Sequence, residues 1–113
     1  MAIHTVNLEQ GMPTVEQARI KLEQELRSAR TKGLKAIKII HGYGSSGKGG
    51  AIRRDTRAYL SAQKRSRRIR EFVGGEYFSP FDPAARNIIA AEPQLSRDSD
   101  YSRGNEGITI VLL

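Results

Sequence analysis

One stretch concentrates the residue types that could do chemistry, from Lys35 to Arg57. A β-branched run, Ile37, Ile39 and Ile40, breaks off at His41-Gly42-Tyr43-Gly44, and further glycines stand at 47, 49 and 50. Ala51 to Leu60 then reads as a helix. A strand, a glycine-rich loop and a helix start together present bare backbone N–H groups and a positive dipole end, an arrangement that suits a phosphate. Lys48 from the loop and Arg53, Arg54 and Arg57 from the helix would add counter-charge. His41 could bind a phosphate or transfer a proton, since a histidine ordinarily titrates near neutrality. Tyr43 could stack on an unpaired base. Gly42 and Gly44 permit positive φ and a close ligand approach.

The elements that must position these groups are legible on either side. Ile3 to Leu8 reads as a first strand, with Val6 and Leu8 on one face. Glu9 to Pro13 is a turn. Thr14-Val15-Glu16-Gln17 is a capping box that opens a helix. Val15, Ala18, Leu22, Leu26 and Ala29 give that helix an apolar stripe, and Gly33 is its stop. Residues 35–40 form the second strand, which makes a βαβ unit with the carboxyl end of its second strand at His41. The second helix is expected from about Gly50 to about Gln63. Its Ile52, Tyr59 and Leu60 face the core, and Arg53, Arg54 and Arg57 lie on the remaining surface. Ile69, Phe72 and Val73 mark a third strand, Gly74-Gly75 a bulge or turn, and Tyr77-Phe78 a continuation of the pairing. Asp82 and Pro83 would start a short helix through Ala84, Ile88 and Ala91 that Pro93 ends. Gln94 to Gly107 is polar and reads as a mobile loop. Ile108 to Leu113 is apolar on both faces and is expected to be a central strand.

The chain of 113 residues has 19 Lys+Arg against 12 Asp+Glu, a net charge of +7, and no cysteine. Its length fits one compact domain. Disulfides and cysteine-based zinc sites are excluded. His4 and His41 are too few for a histidine-rich metal site. No apolar run reaches membrane-spanning length and the first residues do not resemble a signal peptide, so a cytoplasmic protein with no membrane partner is expected. The charge is uneven. Between Arg53 and Arg70, eight bases face only Asp55 before Glu71 is reached. Such a stripe is the footprint of a polyanion.

Gly42 to Lys48 nearly matches a nucleotide-binding P-loop. That motif needs Ser or Thr after the lysine to hold magnesium, and Gly49 stands there instead. Ile39-Ile40-His41-Gly42-Tyr43-Gly44, the helix start Ala51-Ile52-Arg53, the earlier Thr14 to Ala18 and the closing Gly107-Ile-Thr-Ile-Val-Leu are together a better match elsewhere. Over nearly the whole chain they resemble the Smr (small MutS-related) domain. That resemblance implies an α/β fold in two layers, β-α-β-α-β-β, with a four-stranded mixed sheet and two main helices, similar to the C-terminal domain of a bacterial translation initiation factor. It also implies a nucleic-acid partner, structured RNA or branched DNA, and endonuclease chemistry in some members, with a divalent metal as an open question.

The chain departs from the family at the end of the first strand. Where the family has Leu-Asp-x-His, this chain has Val6-Asn7-Leu8-Glu9. Asn7 cannot act as a base, and Glu9 could. The implied catalytic pair is therefore His41 with Glu9. The implied nucleic-acid contacts are Gly42, Tyr43, Gly44, Lys48, Arg53, Arg54 and Arg57. A non-catalytic module that docks on RNA or the ribosome is the rival reading, and a small nucleotide or phosphate binder is a third.

Overall fold

A computed structural model of the chain describes residues 3–42 and 48–113. Strand β1 (His4–Asn7) leads to helix α1 (Val15–Thr31), strand β2 (Ala36–Ile40), helix α2 (Lys48–Arg65) and strand β3 (Glu71–Gly74). A 3-10 turn (Gly75–Tyr77), helix α3 (Pro83–Ala91), a second 3-10 turn (Pro93–Arg97) and strand β4 (Ile108–Leu112) complete it. The sheet order is β1-β2-β4-β3, with β1 parallel to β2 and β4 antiparallel to both its neighbours. The last strand is thus central, and all five of its residues are buried.

The two expected layers are present. Val6, Leu8, Ile37, Ile39 and Val111 pack under α1 and α2, together with Leu22, Leu26, Ile52 and Leu60. The other sheet face is covered as well. Val73, Ile108, Ile110 and Leu112 pack under α3 with Phe78, Ala85, Ile88 and Leu95. Period-2 alternation explains the division, because Thr109 and Val111 face one layer while Ile108, Ile110 and Leu112 face the other.

The cap of α1 is as its sequence implies. The Thr14 side chain accepts from the Gln17 N–H and the Gln17 side chain accepts from the Thr14 N–H. Gly33, at φ +71°, closes the helix with its N–H on the Arg30 carbonyl, and Leu34 bonds back to Ala29. Asp82 caps α3 by accepting from Ala85 N–H, with Pro83 in the first turn. Helix α2 extends beyond the expected bounds at both ends.

Two expectations are corrected. Tyr77 and Phe78 do not continue β3. The chain turns at Gly75, Tyr77 is exposed, and Phe78 is buried edge-on against Tyr101 at 5.0 Å. Gln94 to Gly107 is not a free loop. Lys38 projects from the middle of β2 into the α3 layer, and its ammonium donates to Asp98 at 2.7 Å and Asp100 at 2.6 Å. Asn105 donates to Asp100 as well, at 2.9 Å. One buried lysine thus ties the polar segment to the sheet.

Burial alone would lower the Lys38 pKa, but its two carboxylates outweigh that and raise it above 10.5. For Asp100, burial acts upward, and the bonds from Asn105 and Lys38 overcome it and lower the pKa below 3.8. The Asp100 contribution to stability is therefore present above about pH 4 and is lost as pH falls through the folded-state value. The Lys38 contribution is present up to about pH 10.5 and is lost above it. Lys38→Met leaves two carboxylates without their cation and is expected to cost about 3 kcal/mol in urea denaturation at neutral pH. The penalty should shrink when the measurement is repeated below pH 4.

Candidate functional site around His41 and helix α2

His41 follows the last residue of β2 and turns toward the α2 layer. It is fully buried. Its Nδ1 lies 2.7 Å from the Gly42 carbonyl, which can only accept, so Nδ1 carries the proton. Its Nε2 then accepts from the Thr109 hydroxyl at 2.8 Å. That hydroxyl in turn accepts from Arg57 Nε at 3.3 Å. The chain Arg57, Thr109, His41, Gly42 has one consistent direction of donation.

Arg57 anchors the chain. Its two terminal nitrogens donate to the two Glu76 carboxylate oxygens, each at 2.7 Å. One of them also reaches the Ile108 carbonyl at 3.4 Å. Gly74 makes room for this pair. A Cβ there would lie 2.5 Å from Glu76 Oε1 and 2.7 Å from Arg57 Nη2. Of the expected bulge or turn at Gly74-Gly75, Gly75 opens the turn, while Gly74 ends β3 and is kept bare for the ion pair. Burial pushes the Glu76 carboxyl up, but the Arg57 bond prevails and holds it below the ordinary range.

This geometry corrects two expectations. Arg57 is not on the open surface beside Arg53 and Arg54, because its guanidinium is committed to Glu76, Thr109 and Ile108. The His41 ring is not exposed at the mouth of the strand, because both its nitrogens are engaged inside the fold. Burial lowers its pKa to about 4, the Gly42 carbonyl acting upward and the charges of Arg57 and Arg53 downward. The ring is neutral at pH 7.

Glu9 is exposed and stands over Gly42, which has φ +76°; a Cβ there would lie 2.8 Å from the Glu9 carboxyl carbon. Structure therefore brings Glu9 and the His41-Gly42 backbone together. Asn7 keeps a structural role in the altered motif, its side-chain oxygen accepting from the N–H groups of Glu9 at 2.8 Å and Gln10 at 3.2 Å. That bond pattern is a turn in which Asn and Asp serve equally.

Arg53 makes a 3.5 Å contact with Glu106, and Arg54 is exposed. Lys48 is the first residue of α2. Tyr43 and Gly44 lie outside the described residues. Glu9 also lines an open cleft of about 400 Å³ with Thr5, Lys38, Asp100 and Asn105. The Lys38 ammonium there is already held by carboxylates, so the cleft is a poor place for a phosphate. Among the described residues, no group of three or more His, Asp or Glu could hold a metal ion. Among them, no helix is long and apolar enough to cross a membrane.

Sequence reasoning missed Glu76 and Thr109, the partners of Arg57 and His41. Local sequence carries no sign of them, since Thr109 is 68 residues from His41.

A mixed four-stranded sheet whose second strand runs into the sequence His-Gly-x-Gly defines a class of small α/β domain. The Smr domain family matches residues 10–76, and the chain belongs to that family. The match begins just after Val6–Glu9, where the chain departs from the family motif. Among solved structures, the Smr domain of Thermus thermophilus MutS2 is similar at 25% identity over 98% of both chains, with a TM-score of 0.59. A search of curated proteins found no match.

Because His41 is neutral in the fold and has an ordinary pKa of 6.5, protonation favours the unfolded chain. Its contribution is present above about pH 6.5 and is lost as pH falls toward 4. The expected loss across that window is about 3 kcal/mol, read as a falling urea midpoint. The His41 ring signals in NMR should not titrate between pH 5 and 8. A ring that titrates near 6.5 would show that it is exposed.

Proposed function

We propose that residues 1–113 form one Smr-like domain that binds the phosphate backbone of structured RNA or branched DNA without cleaving it through His41. The Smr family is generally one of nucleic-acid-binding and nuclease-like modules. The observation that carries the reading is the division of labour along α2. Arg57 is consumed by the fold, while Arg54 is exposed and the first turn of the helix holds no acidic residue. Helix N-termini of that kind attract anions. Lys48, Arg53, Arg54 and the backbone of the glycine loop are the proposed contacts. Few groups there could read base edges, so shape and backbone recognition fit better than sequence recognition.

His41 is proposed as a positioning residue. The neutral ring is buried and both its nitrogens are engaged, by the Gly42 carbonyl and the Thr109 hydroxyl. A second reading, endonuclease activity, is favoured by Glu9, whose exposed carboxylate stands beside Gly42 where a phosphate would approach.

Fluorescence anisotropy with labelled RNA hairpins and DNA junctions tests the binding reading. Arg54→Gln is expected to reduce the slope of log affinity against log salt by about 1 and to leave the melting temperature unchanged. Arg57→Gln is expected to lower the melting temperature, because it leaves Glu76 unpaired. On a denaturing gel, end-labelled substrate should stay intact with magnesium or manganese. Cleavage that disappears in Glu9→Gln would install the endonuclease reading instead.

A further inference from the structure

Among the described residues, several basic side chains at the His41–Gly42 end of the sheet are paired with carboxylates. Carboxylates crowd that end of the sheet. Glu76 takes Arg57, Glu106 approaches Arg53, Asp98 and Asp100 take Lys38, and Glu9 stands over Gly42. The opposite end is different. Helices α1 and α2 both start near the loop end and finish together at the far end, where β2 and β3 begin. The α1–β2 turn places Lys32 and Lys35 there, and the end of α2 with the approach to β3 places Arg65, Arg67, Arg68 and Arg70. Strand pairing fixes this juxtaposition. Lys35 O accepts from Leu113 N–H and Arg70 N–H donates to Leu112 O, so the two residues flank the same end of β4. All six side chains are exposed, and among the described residues no carboxylate lies within salt-bridge distance of any of them. Glu71, the nearby acid, is taken by Lys64 at 2.8 Å.

The outer ridge of α2 joins the two ends. Arg54, Ala58, Ser61 and Arg65 recur at four-, three- and four-residue steps and so form one face. Arg54 and Arg65 are about 16 Å apart along the axis, with small side chains between them. Arg65 donates to Ser61 at 3.1 Å and lies along the ridge. Asp55 is drawn away by Arg19 at 3.0 Å. Tyr59 is covered by the same Arg19, 4.4 Å above its ring. The ridge therefore offers charge and close approach but no free aromatic platform. Those are the requirements of a duplex backbone rather than of unpaired bases.

Backbone conformation adds a separate indication. Arg67 ends α2 at φ +62°, the left-handed position that Gly33 fills at the end of α1. Its N–H bonds Lys64 O and the Arg68 N–H bonds Gln63 O, the same pattern as at Gly33. Glycine is the unstrained choice there, and an arginine carries a conformational cost.

We propose that this basic pole is a second phosphate-contact surface, and that a nucleic-acid duplex lies along the outer ridge of α2 from the loop to the pole. The track is about 27 Å long, or about eight base pairs at 3.4 Å each. This rests on the nucleic-acid reading above and extends it to a surface the family motif does not include.

The test uses the full chain with 16-base-pair RNA and DNA duplexes and the matching single strands, followed by anisotropy over a range of salt. The pole variant is Arg65→Gln with Arg67→Gly and Arg68→Gln. It is expected to bind duplex at least tenfold more weakly at about 0.1 M salt, with a slope lower by about 2 to 3. Arg67→Gly alone should melt at the same temperature or a few degrees higher while binding more weakly, which separates loss of contact from loss of fold. Unchanged duplex affinity in the pole variant, with Arg54→Gln still weakened, would overturn the pole and leave the proposed function standing. No duplex binding by the unaltered protein at low salt would overturn both. Equal affinity for single strands would overturn the duplex assignment. Tighter binding to phosphatidylglycerol vesicles than to either duplex would overturn it in favour of a membrane surface. The RNA and DNA arms identify which duplex is preferred.

Discussion

Arg57 is where the fold is locked. Its guanidinium leaves α2, crosses to the turn after β3 at Glu76 and touches the edge of β4 at Thr109 and Ile108. Through Thr109 it sets the orientation of His41, and through His41 the backbone at Gly42. A planar guanidinium that donates along two edges can do this, whereas a lysine ammonium could not meet a carboxylate in parallel and a hydroxyl at once. The glycine loop is therefore rooted in a network built around an ion pair. The bare Cα of Gly74 is part of the same device, since any side chain there would occupy the space of the pair.

This use of Arg57 changes what the motif residues mean. The sequence offers three arginines at one helix face and a histidine beside a glycine loop, which reads as a phosphate site with an acid–base group at its centre. In the folded chain the histidine is buried and one arginine, half-buried, is committed to Glu76. They give the loop end its shape, and the exposed residues must supply contact. The Lys38 cluster does the same for the other layer. A lysine in the middle of β2 holds Asp98 and Asp100 and so orders a stretch of polar residues with few apolar groups of its own. Charge that looks like surface charge is consumed at both places. Among the described residues, the densest group of basic side chains without a carboxylate partner lies at the far pole, with Arg54 on α2 and with Arg27, Arg86, Arg97 and Arg103 scattered elsewhere.

The elements with local signals were legible. The capping box at Thr14, the stripe from Ala18 to Ala29, the αL stop at Gly33, the Asp82-Pro83 helix start and the all-apolar β4 each depend on residues within one or two turns of one another. Their physical causes are local, and the folded chain uses them as their spacing implies. The segment 94–107 and the pair Tyr77-Phe78 were not legible. A polar stretch reads as solvated unless its partner is known, and its partner is Lys38, about 60 residues away. Phe78 leaves the strand because Gly75 turns the chain against Asn105, a contact that no local pattern announces.

The sequence by itself determined the order of elements, the amphipathic faces, the Smr resemblance and the excess of positive charge, because periodicity, capping and composition are properties of neighbouring residues. Only the tertiary structure decided which charges are free. Ion pairs such as Arg57 with Glu76, Lys38 with Asp98 and Arg19 with Asp55 join residues 19 to 60 positions apart. Their formation depends on which strands and helices come together, and that pairing commits Arg57, which a linear reading places at the site, to the fold.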